Sequence, residues 1–142
     1  MSDDVLIDVS RETMVLLKQL RTLVEKWNKS INLISKSTVP DMWNRHIIDS
    51  AQIFYARKKS FKKWLDMGSG AGFPGLVVAI LAQDKNINGE IVLVESDRRK
   101  CAFLSTVKRE LNLKISIINN SCLLYTSDAA DDTPCVDLGG RR

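Results

Sequence analysis

A short apolar segment that runs directly into three closely spaced glycines constrains this chain more than any other feature. Residues 64–67 read Trp-Leu-Asp-Met, and Gly68, Gly70 and Gly72 follow at alternate positions. Glycine allows positive φ and lets another molecule approach the backbone. The apolar run over residues 76–83 contains no turn residue, which is typical of a helix buried against a sheet. The sequence therefore predicts a strand, a glycine loop and a helix in that order.

Strands and helices alternate after this loop. Residues 91–94 are predicted to form a second buried strand, a helix follows the capping residue Asp97, and residues 115–118 are predicted to form a third strand. The apolar side of that helix consists of Phe103, Leu104, Val107 and Leu111. This alternation implies right-handed crossovers and a parallel sheet, so the expected fold class is α/β.

Residues 1–62 are predicted to form a helical N-terminal extension. Beyond Ser10, apolar residues recur at steps of three and four, which favours one amphipathic helix with Met14, Leu17, Leu20, Leu23, Val24 and Trp27 on one side. A second helix is expected to begin near Pro40 and to end near the basic run at Arg57. Its inward positions would be Trp43, Ile47, Ala51 and Phe54.

Residues 122–142 have neither helical nor strand periodicity. We expect this tail to be disordered and foreign to the natural chain, which would continue beyond about residue 121. A parallel sheet of three strands would leave the apolar strand over residues 64–67 with an unpaired edge. The chain alone is therefore expected to be poorly stable and catalytically silent.

Composition and charge exclude several classes of function. The chain has 21 Lys and Arg against 17 Asp and Glu, and 44% of its residues are apolar. Its longest apolar run is far shorter than the ~20 residues of a membrane-spanning helix, and no export signal opens the chain. We therefore expect a cytoplasmic protein with no membrane partner. Cys101, Cys122 and Cys135 have only His46 as an imidazole partner, so neither a metal site nor a disulfide framework is expected.

Two carboxylates stand at the ends of neighbouring predicted strands. Asp66 precedes the glycine loop and Glu95 ends the second strand, so both should border one crevice. Asp66 can hold a cationic amino group, and Glu95 can accept hydrogen bonds from two ribose hydroxyls. With Gly68, Gly70 and Gly72, these residues fit a nucleoside that carries an amino acid tail, S-adenosylmethionine.

The same segment contains a literal G-x-G-x-x-G at Gly70, Gly72 and Gly75, which raises the hypothesis of a nicotinamide or flavin dinucleotide site. In that fingerprint the first glycine directly ends the strand. Here Gly68 ends the predicted strand, and counting from it places Phe73 where the third glycine belongs. The frame therefore favours S-adenosylmethionine over a dinucleotide.

Four segments together resemble the bacterial small-subunit (16S) ribosomal RNA guanine-N7 methyltransferases, the glucose-inhibited division protein B family. The resemblance covers residues 27–121 and is carried by Trp27-Asn28-Lys29, Asn32-Leu33-Ile34, Arg45-His46-Ile47-Ile48-Asp49-Ser50 and the run from Leu65 to Gly75. It implies a helical extension over residues 1–62 and the first half of a class I, Rossmann-like methyltransferase domain over residues 63–121.

The resemblance also implies a function. The family transfers a methyl group from S-adenosylmethionine to N7 of a guanine, and its partner is small-subunit ribosomal RNA or the 30S particle; we expect a monomer. Gly68 and Phe73 match loop residues that contact the cofactor, and Glu95 matches the ribose ligand. The match departs from the family at Cys122, where the remaining strands and the adenine-facing loop should follow. Guanine N7 carries a lone pair and no proton, so no catalytic base is expected.

Other interpretations remain open at this stage. The chain could be a fragment of a dinucleotide-dependent oxidoreductase or a non-catalytic RNA-binding fragment. RNA contact is assigned to the basic run over residues 57–63, whereas the three tryptophans are expected in the core. His46 and Asp49 form either an acid–base pair or a structural contact that fixes the helical extension near the cofactor.

Overall fold

The computed structural model describes residues 8–57 and 60–120 of the chain. Its elements in chain order are α1 (Arg11–Asn28), a 3₁₀ segment (Lys36–Asp41), a π-helical segment (Trp43–Ile48), α2 (Asp49–Ala56), β1 (Lys63–Met67), α3 (Gly75–Asp84), β2 (Glu90–Glu95), α4 (Arg98–Glu110) and β3 (Ser116–Asn119). The expectations for residues 122–142 lie outside the described residues.

The three strands form one parallel sheet in the order β1-β2-β3. Asp66 lies beside Leu93 in the register, and Glu95 lies beside Asn119. The carboxyl ends of β1 and β2 therefore meet at one edge of the sheet, as expected. The α/β class and the partial Rossmann-like sheet are confirmed.

The helices pack in layers on this sheet. α3 contacts β1 and β2, α4 contacts β2 and β3, and α1 lies across both helices. The side of α1 that packs inward includes the fully buried Leu17, Leu20 and Val24, and Ser10 caps the helix by accepting a hydrogen bond from the Thr13 N–H. The predicted amphipathic helix is thus correct in position and in orientation.

A carboxylate fastens α1 to the end of α3. Asp84 accepts hydrogen bonds from the Thr13 hydroxyl at 2.8 Å and from the Ser10 N–H at 3.1 Å. Burial raises the pKa of the Asp84 carboxyl, but the hydrogen bonds from Thr13, Ser10 and Lys85 outweigh it and hold the pKa below its usual range. α1 is therefore joined to α3 by polar contacts as well as by apolar packing.

The second predicted helix is correct in its inward residues but not in its backbone. Trp43, Ile47, Ala51 and Phe54 are all buried. Their segment, however, passes from a 3₁₀ turn through a π-helical turn before α2 begins at Asp49. Apolar spacing of three or four residues is compatible with all three helix types, so periodicity alone cannot distinguish them.

β1 lies at the edge of the described sheet. Among the described strands it pairs with β2 alone, and its Leu65 and Met67 side chains are 54% and 59% exposed. The expected unpaired apolar edge is therefore present in the described part of the chain.

Candidate functional site

The glycine loop begins directly where β1 ends. Met67 is the last residue of β1, and the N–H groups of Gly68 and Ser69 both donate to the Val94 carbonyl, at 2.8 and 3.0 Å. Gly68, and not Gly70, is thus the glycine that ends the strand, as the frame argument against a dinucleotide site required.

Gly68 and Gly70 leave space in front of the backbone. Their φ angles are +70° and +56°, which L side chains rarely adopt. Within residues 8–57 and 60–120, a Cβ on Gly68 would meet no atom within 4 Å, and one on Gly70 would meet only the Gly68 carbonyl, at 3.9 Å. Internal packing does not require glycine at these two positions, so the open space in front of them is available to a ligand.

Gly72 and Gly75 differ from the first two glycines because protein atoms crowd them. A Cβ on Gly72 would collide with the Leu76 side chain, and one on Gly75 would collide with Leu93 and with the Asp66 carboxylate. Both glycines are buried. The close approach of Leu76 at the start of α3 therefore explains Gly72, which the sequence analysis placed among the cofactor-binding residues, without any ligand.

Glu95 connects the two loops that border this space. It ends β2 and is 6% exposed. One carboxylate oxygen accepts from the Gly70 N–H at 2.6 Å, and the other accepts from the Asp97 N–H at 2.8 Å. Each oxygen keeps a second lone-pair site, so the carboxylate can still accept a hydrogen bond from a hydroxyl.

Asp66 is a buried neighbour of Glu95 and is committed in part to the protein itself. Its carboxylate accepts a hydrogen bond from the Gly75 N–H at 3.0 Å, and the residue is 9% exposed. Burial raises the pKa of Asp66, the nearby charge of Glu95 adds to this, and hydrogen bonds from Gly75 and Ser69 oppose it. The two carboxylates that the sequence placed at one crevice do lie together.

The helical extension reaches the loop through an aromatic stack. The imidazole of His46 lies 5.0 Å from the ring of Phe73, with 20° between the planes. Burial lowers the pKa of His46, Asp49 raises it less, and Arg45 lowers it further, with a net lowering of the pKa. Its Nε2 atom is buried and has no hydrogen-bond partner among the residues that the structure describes. This geometry supports the structural interpretation of His46 over an acid–base pair with Asp49.

The basic run does not present all its charges to solvent. The guanidinium of Arg57 lies 3.8 Å above the Phe54 ring and donates to the Phe54 carbonyl at 2.6 Å. Lys63 forms a salt bridge with Glu90 at 3.4 Å. Stacking and carbonyl contacts thus hold the Arg57 side chain against the protein, and RNA contact by residues 57–63 stays a prediction. Lys58 and Lys59 lie outside the described residues.

The three tryptophans lie in or against the core. Trp43 is buried, and Trp27 and Trp64 pack partly buried against the core, as expected. No three His, Cys, Asp or Glu side chains lie close enough to hold a metal ion within residues 8–57 and 60–120. No helix in that part of the chain has the length and apolar content needed to cross a membrane.

Comparisons with known proteins give a consistent result. The family described as rRNA small subunit methyltransferase G matches residues 13–130. Relatives named ribosomal RNA small subunit methyltransferase G are 52% identical over 112 residues in Cereibacter sphaeroides, 51% over 111 in Jannaschia sp. and 51% over 114 in Bartonella tribocorum. These matches cover 79%, 78% and 80% of this chain but 54%, 53% and 53% of the relatives. The chain thus spans about half the length of the curated relatives it matches.

Proposed function

The chain belongs to the rRNA small subunit methyltransferase G family, and from that premise we propose that it binds S-adenosylmethionine for methyl transfer to N7 of a guanine in small-subunit ribosomal RNA. The observation that carries the proposal is the open backbone at Gly68 and Gly70, with the Glu95 carboxylate bound to that loop. The proposed partner is the ribosomal RNA or the 30S particle, and the proposed location is the cytoplasm.

The residues present fit the chemistry of this cofactor. S-adenosylmethionine carries two ribose hydroxyls, which are donors, and an ammonium group, which is a cation. Glu95 offers carboxylate acceptors to the hydroxyls, and Asp66 offers a negative charge to the ammonium. Gly68 and Gly70 admit the ligand to the backbone, and Phe73 gives an apolar contact at the end of the loop.

The proposed role of these residues is to position and not to transfer protons. When bound, the cofactor supplies a methyl group on a positively charged sulfur, which is electrophilic. Guanine N7 carries its own lone pair and no proton, so no side chain would have to act as a base. Orientation and proximity then supply the catalysis. The stack of His46 on Phe73 agrees with this role, because it packs the imidazole against the loop.

A chimeric enzyme tests the methyl transfer. Residues 13–120 of this chain would replace the matching half of the Cereibacter sphaeroides relative. We expect the chimera to transfer labelled methyl groups to 30S subunits that lack N7 methylation, and borohydride reduction followed by aniline cleavage to place the label at a guanine N7. The Glu95→Ala chimera should lose activity, whereas Lys114→Glu, an exposed site in the loop before β3, should keep it. A folded chimera that methylates another atom, or none, would contradict the proposal.

A second experiment separates the proposal from the oxidoreductase hypothesis. A ligand that binds only the folded state raises the melting temperature, by an amount that grows with the logarithm of its concentration over Kd. We expect S-adenosylmethionine and S-adenosylhomocysteine to raise the melting temperature of the chain, and NAD and FAD to leave it unchanged.

A further inference from the structure

A cleft of about 290 Å³ opens between the C-terminal end of α1 and the first turns of α4. It is lined by Lys26, Trp27, Ser30, Ile31, Arg99 and Ala102. Trp27, Ile31 and Ala102 supply apolar surface, whereas Lys26, Ser30 and Arg99 supply polar groups. This α1–α4 cleft is separate from the glycine loop, and none of the residues assigned to the cofactor lines it.

The indole of Trp27 is held in a fixed position at this cleft. It packs edge-on against Phe103, with 5.6 Å between the ring centroids and 62° between the planes. Phe103 is fully buried in the core, but Trp27 is only partly buried. An anchored and accessible aromatic ring is the surface on which proteins stack nucleic-acid bases without reading their sequence.

Positive charge borders the cleft from both helices. Lys26 on α1 and Arg99 on α4 are exposed, and Lys29 extends the charge beyond the end of α1. Neither Lys26 nor Arg99 forms a salt bridge with a carboxylate of the described residues. The nearest acid along α4 is Asp97, whose side chain caps that helix by accepting from the Arg99 and Lys100 N–H groups. The charges of Lys26 and Arg99 could therefore each attract one of the two phosphates that flank a base bound in the cleft.

We propose that the α1–α4 cleft binds one unpaired nucleotide of the RNA substrate, with its base on Trp27 and its flanking phosphates on Lys26 and Arg99. The proposal rests on the proposed function, since it takes RNA as the substrate. A paired base has its faces stacked inside the duplex, so this site requires a single-stranded or extruded nucleotide. α4 begins just after Glu95 and Asp97, which places the cleft close to the proposed cofactor site.

The test uses the whole chain and a short, fluorescein-labelled, single-stranded oligoribonucleotide of mixed sequence. Fluorescence anisotropy gives the affinity between about 50 and 200 mM KCl, the range in which phosphate contacts change most. The variants are Lys26→Glu, Arg99→Glu and Trp27→Leu. Lys114→Glu is the matched control, because it makes the same charge change at an exposed site before β3, away from the cleft.

We expect Lys26→Glu and Arg99→Glu each to weaken binding about tenfold at low salt and to reduce the salt slope by about 0.7, the value for one phosphate contact on a single strand. Trp27→Leu should weaken binding about tenfold or more through the loss of stacking, with an unchanged slope. Lys114→Glu should bind like the unaltered chain, and a duplex of the same sequence should bind more weakly than the single strand.

Three results would overturn the proposal: no binding of the oligoribonucleotide at low salt, equal losses in Lys114→Glu and Lys26→Glu, or unchanged binding by Trp27→Leu. Trp27→Phe guards against a folding artefact, because it keeps an aromatic ring beside Phe103 and should keep most of the affinity. S-adenosylmethionine titrations of the same variants distinguish the two proposals. If every variant bound both the cofactor and RNA normally, the proposal that the α1–α4 cleft binds a nucleotide would be overturned, while the proposed function would stand.

Photocrosslinking supplies a measurement that does not depend on substitution. An oligoribonucleotide that contains 4-thiouridine should crosslink to peptides from residues 26–31 or 98–102. Crosslinks confined to other segments would contradict the assignment of the cleft.

Discussion

The Glu95 carboxylate accepts a hydrogen bond from the backbone N–H of Gly70 at 2.6 Å, so the end of β2 holds the glycine loop that follows β1. The other carboxylate oxygen accepts from the Asp97 N–H at the start of α4. One buried side chain thus determines the relative position of both loops that border the proposed cofactor site.

This relationship predicts a dual effect for substitutions of Glu95. Glu95→Ala should weaken the binding of S-adenosylmethionine by about 1 to 3 kcal/mol, because charge-assisted hydrogen bonds are lost. It should also lower the free energy of unfolding by about 1 to 3 kcal/mol, because buried N–H groups lose their acceptor. Glu95→Gln keeps one carbonyl acceptor. Its cofactor affinity and its stability should therefore lie between those of the unaltered chain and those of Glu95→Ala. Calorimetric titration and urea unfolding measure the two effects, and normal cofactor binding by Glu95→Ala would contradict the assignment of Glu95.

The glycines should separate into two groups when each is replaced by alanine. Gly68→Ala introduces a Cβ into open space, so its cost to folding is that of positive φ, roughly 1 to 2 kcal/mol. Gly72→Ala places a Cβ against the Leu76 side chain, and overpacking of this kind costs about 1 to 3 kcal/mol. In the folded protein, only Gly68→Ala should bind the cofactor more weakly, beyond what its lower stability explains. Equal affinity losses in both variants would contradict the ligand role of Gly68.

Asp66 should make cofactor binding depend on pH. Burial raises its pKa in the folded chain above the ordinary value of 3.8, so the folded state keeps a proton that the unfolded state has released. Stability therefore falls as pH rises from 3.8 through the raised value. Ionised Asp66 attracts the cofactor's ammonium, so affinity should rise over that window. Calorimetry at several pH values checks this, and Asp66→Asn should show weak binding with no such rise.

His46 should make stability depend on pH in the opposite direction. Burial lowers its pKa below 6.5, so the unfolded chain takes up a proton first as pH falls. Its stabilising effect is complete above 6.5 and is lost as pH falls from there through the lowered value. His46→Phe should remove this pH dependence and keep the stack on Phe73. His46→Ala should lose about 0.5 to 1.5 kcal/mol of stability above pH 6.5, as expected for a lost aromatic pair, and less as pH falls below it.

The position of the site follows from local sequence signals. The apolar run before Gly68, the spacing of the glycines and the acidic residue after the second strand are features of neighbouring residues, and each predicts one element. A parallel sheet then brings the ends of β1 and β2 to one edge, which is sufficient to place Asp66, opposite Leu93, at the same edge as Glu95. This part of the geometry was predictable because local sequence patterns, together with the parallel order of the strands, are sufficient to place it.

Tertiary contacts determine what the sequence could not show. Gly68 and Gly72 look alike in the sequence, and only the distance of Leu76 from each separates an open position from a packed one. The stack of His46 on Phe73 joins elements that are distant in sequence, and no spacing rule relates them. Arg57 belongs to a lysine-rich run, yet the nearby Phe54 ring and carbonyl occupy its guanidinium.

Calorimetric titration of the chain with S-adenosylmethionine tests the central proposal most directly. We expect saturable binding with one site per chain, no binding of NAD, and loss of binding in Gly68→Val, whose branched side chain would fill the space in front of the loop. Lys114→Glu should bind as the unaltered chain does. A folded chain that binds NAD instead, or a Gly68→Val variant that binds S-adenosylmethionine with unchanged affinity, would contradict the assignment of this loop to the cofactor.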